Sequence, residues 1–588
     1  MYNARMGAVA QSHRVEEGLM ERSGSWWGFR FVLFLALCLA GLPALAQAQV
    51  AAALDGQVSL AGTFWIVWGD PLDCAGSPPF VTYRLATAQG RVPLLFDEAA
   101  VLPGRGLLAL NRNSVRVVGA WEGDWLRVET IALASGVLDQ PAGLAGSQPW
   151  VSVMCKFKDY AAEPHDLAYF EGMYSDPFPG LDHYWRQLSY DNIDLVGSDA
   201  VGWYTLPQPR SYYVYDNDGD GDLELDWGRA VDDCTLVADP DVYFPDFVGI
   251  NLMFNADLDC CAWGGSWTVN RDGQNRLYRV TWEPPWGYGN IGVIAHETGH
   301  GFGMPHSSGD YGQVYDNRWD VMSDIWTDCG NLTDPTYGCV GQGTIAHHLD
   351  LEGWIPADRL ARVGTGTGRT VTLEQIITMP DEGFLAAIVP IDNSPTDYYT
   401  VEARRKASYD VKLPAEGVII HHVIQGRPEP AHVVDVDRDG NTGDAYFSVG
   451  GAFVDAAAGI TVTVDAETPE GWTVTISNRY DARPPVHVLG IKMKALPYGS
   501  RRLLRAAVQI GDADHHPVPG AAVAVLWTLP DGTQKGGLAP TGPTGLAGFR
   551  LSAGQAGTYE LCVTGVSREG MRYDPAQNHE TCETLSLP

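Results

Sequence analysis

Three histidines and one glutamate between residues 296 and 306 have the types and spacing needed for metal-assisted hydrolysis. This stretch reads HETGHGFGMPH. On a helix, His296 and His300 project from one face because they are four residues apart, so both imidazoles can bind one zinc ion. Glu297 flanks that ion and can take a proton from the attacking water as a general base. The pattern therefore predicts a zinc hydrolase.

A glycine is expected to end this helix and turn the chain back towards the metal. Gly303 can adopt a left-handed conformation, and Pro305 prevents the helix from resuming. His306 is then predicted to be the third zinc ligand. The fourth position is expected to stay open for water and substrate, as it does in catalytic zinc sites.

The compound motif resembles that of the metzincin clan of zinc endopeptidases. The resemblance implies a methionine in a tight turn beneath the metal, and Met322, sixteen residues after His306, matches it. The segments PGLDHYW at 179–185 and GWYTLP at 202–207 are similar to bacterial exported metalloproteases distantly related to immune inhibitor A. Immune inhibitor A has an acidic third ligand where this chain has His306, so its substrate preferences do not carry over.

One catalytic part is absent from its usual place. Astacins and serralysins, other members of the clan, have a tyrosine two residues after the turn methionine, where this chain has Asp324. The group that stabilises the oxyanion is therefore unassigned, and Tyr311 and Tyr315 are candidates only because they lie in the loop that precedes the turn.

Length and composition predict a multidomain protein that is rich in short strands. The chain has 588 residues, 45% of them hydrophobic, with 67 glycines and 37 prolines. The expected fold class is multidomain α+β, with a metzincin-like catalytic domain flanked by β domains. The predicted boundaries are a signal peptide with an over-long start at 1–48, an N-terminal β domain at 50–140, a zinc metalloprotease domain at 145–360, a β-sandwich at 365–480 and an immunoglobulin-like domain at 486–588.

The charge and the leader indicate where the protein works. A net charge of -33 excludes nucleic acid and anionic membranes as partners, because both need a basic surface. Arg22 and Arg30 precede an apolar run at 31–45, which predicts a cleaved signal peptide. The mature chain is expected to be secreted, extracellular or periplasmic, without an integral membrane segment.

Nine cysteines remain after the leader, as expected of an exported chain that forms disulfides. Cys329 is predicted to pair with Cys339, and Cys562 with Cys582. Cys74 precedes the catalytic region, where its thiolate can occupy the open metal position of a precursor. An ordinary disulfide or a buried thiol is the alternative for Cys74.

Two acidic loops have the alternating oxygens of a calcium-binding loop, although the first lacks the closing acid of an EF-hand. The first loop contains Asp216, Asp218, Asp220, Asp222 and Glu224, and the second contains Asp435, Asp437, Asp439, Asn441 and Asp444. A solvated acidic turn is the alternative for each.

These observations predict a secreted zinc endopeptidase that acts on polypeptides. The segment from Trp263 to Trp282 is expected to provide an edge strand that binds substrate by strand addition. One alternative is a surface adhesion protein that contacts a cell surface or matrix through its C-terminal β domain. The other is a protease of narrow specificity for one host or glycosylated protein.

Overall fold

The computed structural model describes residues 57–72, 80–96, 106–134, 143–217, 219–310, 314–379, 382–435, 437–478, 483–498 and 501–588. The predicted signal peptide, Cys74, Asp218 and Tyr311 lie outside these residues. Within them, no helix is long and apolar enough to cross a membrane.

The first five strands close on themselves, and we call them the N-terminal ring. They are β1 (Gln57–Pro71), β2 (Phe80–Thr87), β3 (Gly90–Leu95), β4 (Ser114–Glu122) and β5 (Trp125–Leu133). They pair in the order β2-β3-β5-β4-β1, and β1 also pairs with β2. Because side chains alternate along a strand, Phe64 and Ile66 fill the ring while Trp65 and Val67 pack into the core that follows.

A mixed sheet packs against the helix that contains the first two motif histidines. The strands of this region are β6 (Gly146–Ser147), β7 (Trp150–Lys156), β8 (Ile193–Asp194), β9 (Asp199–Thr205), β10 (Val214–Tyr215), β11 (Glu224–Leu225), β12 (Gly249–Phe254), β13 (Cys261–Arg271) and β14 (Gln274–Glu283). The main sheet has the order β13-β14-β12-β7-β9 and is parallel except for β13. The last residues of β1 pair with β13, so the ring and this sheet are continuous.

Among the described residues, the α-helices lie between residues 167 and 351. They are α1 (Leu167–Met173), α2 (Leu181–Leu188), α3 (Arg210–Tyr213), α4 (Trp227–Ala238), α5 (Pro285–Tyr288), α6 (Ile291–Phe302) and α7 (Ala346–Leu351). Helices α2 and α6 contribute to the core on one face of the sheet, around Trp150 and Met154, and α4 to that on the other face, around Val151 and Val153. A parallel sheet is stable in this arrangement because both of its faces are buried.

Two further sheets pack together after the motif. Their region contains β15 (Ser307–Gly309), β16 (Thr333–Asp334), β17 (Gly338–Cys339), β18 (Leu360–Arg362), β19 (Thr367–Glu374), β20 (Ala386–Pro390), β21 (Asp397–Arg404), β22 (Gly417–Ile424), β23 (Ala431–Val433), β24 (Ala452–Asp455), β25 (Ile460–Glu467) and β26 (Gly471–Asn478). The sheets have the orders β15-β23-β22-β21-β20-β18 and β19-β26-β25-β24 and share one core. Strand β15 follows His306 directly, so this sheet supports the segment that holds the third histidine.

The C-terminal region is a pair of four-stranded sheets around one core. Its strands are β27 (Pro485–Tyr498), β28 (Arg501–Asp512), β29 (Ala522–Thr528), β30 (Gln534–Pro540), β31 (Leu546–Ala553), β32 (Gly557–Ser567), β33 (Arg572–Tyr573) and β34 (Cys582–Leu587). They form sheets with the orders β31-β28-β27-β33 and β30-β29-β32-β34. Short 3-10 helices occur at Leu108–Leu110, Phe244–Asp246, Cys329–Asn331, Ala357–Arg359, Ile391–Asn393, Ser408–Lys412, Thr442–Asp444 and Pro575–Gln577.

The predicted α+β fold class is wrong, because the protein is mostly β. Strands account for 47% of it and helices for 16%. The helical periodicity at 181–189 does produce α2, but the longest helices, α4 and α6, have only 12 residues each. More residues lie in the strands of the N-terminal ring, of the two packed sheets between Ser307 and Asn478, which we call the sandwich, and of the C-terminal region.

Four disulfides link the cysteines of the described residues. Both predicted pairs, Cys329–Cys339 and Cys562–Cys582, are bonded. The other two are Cys155–Cys234, between β7 and α4, and Cys260–Cys261 at the start of β13.

Candidate metal centre

Helix α6 holds the first two histidines in the centre of the molecule, where every residue of the helix is buried. Its glycines permit close packing. A Cβ on Gly299 would lie 2.4 Å from Sδ of Met322, and a Cβ on Gly264 of β13 would lie 2.7 Å from Oε2 of Glu297. Met322 therefore lies directly against the helix from one side, and β13 crosses it on another. Gly303 ends the helix with a φ of 120°, which favours glycine.

The three imidazoles converge through the same ring atom. Nε2 of His306 lies 3.2 Å from Nε2 of His296 and 3.0 Å from Nε2 of His300. Histidine nitrogens around a tetrahedral zinc ion are separated by about 3.3 Å, given a Zn–N distance of about 2.0 Å. The structure thus brings the three predicted ligands together with a suitable spacing.

Backbone carbonyls orient two of these rings. Nδ1 of His296 is 2.7 Å from the carbonyl oxygen of Val321, and Nδ1 of His300 is 2.8 Å from that of Met304. A carbonyl can only accept, so each Nδ1 donates a proton and each Nε2 presents its lone pair to the centre. Lone pairs that converge in this way repel one another unless a cation lies between them. The residues present therefore fit a metal ion.

A fourth group, the carboxylate of Asp70, completes the cluster. Oδ1 of Asp70 lies 2.7 Å from Nε2 of His306 and 3.4 Å from Nε2 of His296, while Oδ2 lies 3.4 Å from Nε2 of His300. These four residues form a group that could hold a metal ion. The expectation of an open fourth position is corrected: Asp70 of the N-terminal ring lies there.

Asp70 is ionised despite its burial. Desolvation opposes the charged form, but His306 and His296, when protonated, outweigh it, so the pKa of Asp70 lies well below its usual value. This result is what a metal-binding carboxylate needs.

Strand β1 brings Asp70 to the centre by pairing with β13. Asp70 is opposite Ala262, and Trp68 is opposite Gly264. The ring of Trp68 stacks on that of His300, with centroids 4.7 Å apart. Nη1 of Arg112 also donates to the carbonyl oxygen of Gly301, 3.1 Å away, and this bond connects the N-terminal ring of strands to the end of α6.

Tyr315 and Glu297 lie beside the same cluster. The hydroxyl of Tyr315 donates to Oδ1 of Asp70 over 2.6 Å. Asp70, His296, Glu297 and Tyr315 line one crevice, and Trp286, Val293, Ile325 and Trp326 provide its apolar wall. The crevice combines two carboxylates, a hydroxyl group and an apolar wall.

Asp320 fixes the loop that carries Met322. Its buried carboxylate accepts hydrogen bonds from Oγ of Ser307 at 2.6 Å, Oγ1 of Thr344 at 2.8 Å and the backbone N–H of Met322 at 3.1 Å. Nδ1 of His348 lies 3.2 Å away. The segment after His306 and the methionine turn are thus tied to one side chain.

The two acidic loops share a pattern of internal hydrogen bonds. In the first, Asp216 accepts from the N–H groups of Gly219 and Gly221, Asp220 from that of Asp222 and Glu224 from that of Asn217. In the second, Asp435 accepts from the N–H groups of Asp437, Arg438 and Gly440, and Asp444 accepts from the side chain of Asn441. Calcium at either loop stays a prediction, because such turns also form without a cation.

Comparison with known proteins adds no family to this picture. Neither a protein-family model nor a curated protein sequence matches the chain. The resemblance to metzincins and to immune inhibitor A therefore stays a prediction that depends on the motifs alone.

Sequence reasoning missed Asp70. The sequence offered Cys74, four residues further along, as a group that could block the metal, with an ordinary disulfide or a buried thiol as the alternative. The available signal was an acidic residue at the end of the apolar run Phe64–Trp68, since a charge in a buried strand needs a partner.

Proposed function

We propose that this chain is a zinc-dependent endopeptidase, folded here in a latent form. The observation that carries the proposal is the convergence of three Nε2 atoms within 3.0–3.2 Å beside Glu297, which lies on the same helix as two of them. His296, His300 and His306 would hold the metal. When bound, zinc supplies Lewis acidity, which lowers the pKa of water and polarises a carbonyl group.

Glu297 acts as the general base and acid. It takes a proton from the attacking water and later delivers it to the amine that leaves. Glu297 is fully buried, and β13 passes over it at Gly264, so bulk water has little access to this proton transfer.

Tyr315 supplies the missing oxyanion donor. The carboxylate of Asp70 stands in for the oxygens of the tetrahedral intermediate, because it is an anion beside all three ligand nitrogens. Its Oδ1 accepts the hydrogen bond of Tyr315. An oxyanion in that place receives the same bond, so the role falls to Tyr315 instead of the residue after the methionine turn.

The proposed substrate is an extended polypeptide. Residues 67–71 of β1 pair with residues 265–261 of β13, and this edge of the sheet lies over α6. A substrate strand needs the same edge and the same hydrogen bonds. Trp286, Val293 and Trp326 give the crevice an apolar wall, and its volume of about 10 Å³ must widen as β1 leaves before a substrate side chain can enter.

Latency follows from the same contacts. Strand β1 occupies the substrate edge, and Asp70 occupies the place where water and the scissile carbonyl must lie. Peptide hydrolysis therefore requires that residues 67–71 leave β13.

An active-site probe tests this arrangement without relying on turnover. In the Glu297→Ala variant, the affinity for a peptide hydroxamate, which chelates zinc, is measured with and without Asp70→Ala. Removal of Asp70 is expected to tighten binding by about 10²-fold or more, since the probe no longer competes with a carboxylate held close by the chain. Asp70→Asn tests the contribution of charge, and Asp124→Ala, an exposed aspartate of the ring, is the control.

The outcomes separate the two parts of the proposal. Equal hydroxamate affinity with and without Asp70 contradicts latency but leaves the peptidase intact. If zinc-loaded Asp70→Ala neither binds the hydroxamate nor digests casein in a manner sensitive to 1,10-phenanthroline, the peptidase proposal fails.

Secretion and calcium complete the proposal as predictions from the sequence. If calcium binds the two acidic loops, EGTA lowers the melting temperature and calcium, but not magnesium, restores it. An unchanged melting temperature would leave both loops as solvated turns.

A further inference from the structure

A second group of three histidines lies in the C-terminal region, far along the chain from the motif. His487 is on β27, His515 is in the turn after β28, and His579 precedes β34. One ring nitrogen from each lies within 4.8 Å of the others. We call these residues the C-terminal triad.

The rings of this triad are arranged much like those of the histidine motif. In the motif, the ring centroids are 4.7, 5.2 and 4.5 Å apart, with interplanar angles of 82°, 36° and 88°. In the C-terminal triad, the distances are 5.3, 5.5 and 4.8 Å and the angles are 73°, 46° and 85°. The second set is slightly wider, but the mutual orientation of the three rings is nearly the same.

The buried member of the triad indicates a ligand. His487 is only 1% exposed, and neither of its ring nitrogens has a hydrogen-bond partner among the described residues. A buried polar group without a partner is costly, so native structures rarely keep one unless an ion or water satisfies it. The two rings nearest to His487 are the imidazoles of His515 and His579.

The backbone conformation holds His515 and His579 close to His487. His515 has a φ of 62°, a left-handed conformation that is uncommon for a residue with a side chain. The N–H of His579 donates to the carbonyl oxygen of Val488, and Oδ1 of Asn578 accepts from the N–H of Val488. These bonds hold the segment before β34 along β27, beside His487.

We propose that His487, His515 and His579 bind a divalent transition-metal ion. Three imidazole ligands suit zinc, copper, nickel or cobalt, and are unsuited to calcium or magnesium. His515 and His579 are exposed, so the ion can enter from solvent and complete its coordination there. The site would clamp the turn after β28 and the segment before β34 onto β27.

The test counts metal ions in full-length protein. The Glu297→Ala variant, which keeps the motif histidines but prevents self-digestion, is stripped with a chelator, reloaded with zinc and dialysed before metal analysis. The same is done after adding His515→Ala or His579→Ala. Each addition is expected to remove one equivalent of zinc, and the affinity of the lost site to fall by at least about tenfold.

His516→Ala is the neighbouring control, because His516 is exposed and adjacent to His515 but belongs to a separate group with Asp512 and Asp514, so it distinguishes the triad from that group. It is expected to retain all of the zinc. If His515→Ala and His579→Ala bind as much zinc as their parent, or if His516→Ala loses as much as they do, the proposal is overturned. Catalysis has no part in this measurement, so failure of the peptidase proposal leaves it unaffected.

Because His515 and His579 are exposed, their replacement by alanine is not expected to disturb folding. Far-ultraviolet circular dichroism of the metal-free variants is expected to match that of the metal-free parent. Cobalt gives a second readout: its visible absorption should show two sites in the parent and one in each triad variant. An identical cobalt titration in parent and variants would also overturn the proposal.

Discussion

The two histidine clusters use the same side chains in different surroundings. The motif cluster lies beside the paired strands β1 and β13, with Glu297, Tyr315 and the Asp70 carboxylate around it. The C-terminal triad joins a strand, a turn and a loop at the rim of a β domain. Three imidazoles could hold a metal ion in either place, and we propose that the neighbouring groups distinguish a reactive cluster from a structural one.

The largest expected difference between the clusters is in catalysis. In an Asp70→Ala background, His306→Ala should lower casein hydrolysis as far as Glu297→Ala does, about 10²- to 10⁴-fold, since metal and base act together. His579→Ala should change it by less than about twofold, because it is remote from Glu297. Comparable losses from both histidine variants would end the distinction between a reactive and a structural cluster.

Tyr315 should account for the next largest effect. In the same Asp70→Ala background, Tyr315→Phe removes the donor beside the reacting oxygen and is expected to lower kcat about 10²-fold with little change in KM. Tyr399→Phe is the control, because Tyr399 also donates to a carboxylate, Asp455, but lies in the sandwich. A fall in kcat of the same size in both variants would point to a general structural cause.

Packing should differ between the two regions as well. Gly299→Ala places a Cβ 2.4 Å from Met322 Sδ, and this overpacking costs about 1–3 kcal/mol of unfolding free energy, against a helix gain of about 1 kcal/mol. Gly548→Ala, on β31, meets no atom within 4 Å and should be near neutral. Denaturant unfolding measures both, and a neutral Gly299→Ala would show that Met322 can move.

The smallest effect concerns acid stability near the motif. Burial raises the pKa of Asp320, but His348, Ser307 and Thr344 outweigh it, so the pKa is held below its usual value. The contribution of Asp320 to the free energy of unfolding is therefore fully present above the unfolded pKa of about 4. It is lost as the pH falls towards the pKa of Asp320 in the folded protein, by at most about 1.4 kcal/mol per pH unit. The stability gap between wild type and Asp320→Asn should narrow from pH 6 to pH 2. A constant gap in denaturant unfolding would contradict this.

Local spacing explains which parts of these sites were predictable. His296, His300 and His306 could be grouped from the sequence because a helix and a glycine turn fix their positions within eleven residues. Cys329–Cys339 and Cys562–Cys582 are likewise close in sequence, with separations of 10 and 20. Their contacts depend on few intervening dihedral angles.

Contacts that depend on the whole fold could not be predicted in this way. Asp70 is 236 residues from His306, and only the pairing of β1 with β13 brings them together. His487, His515 and His579 meet through strand register and a turn, with no motif to mark them. The α+β expectation failed for a related reason: it weighted the readable helices around the motif and undervalued many short strands elsewhere.

The shared strand β1 has a consequence for how the proposed peptidase would be activated. A single cut in the chain between the ring and the sheet would leave β1 hydrogen-bonded to β13 and Asp70 over the histidines. The severed ring would then be a tight product inhibitor, held by a large apolar interface instead of a peptide bond. Activation should therefore depend on dilution or on destruction of the ring, and the first active molecules should accelerate the release of the rest.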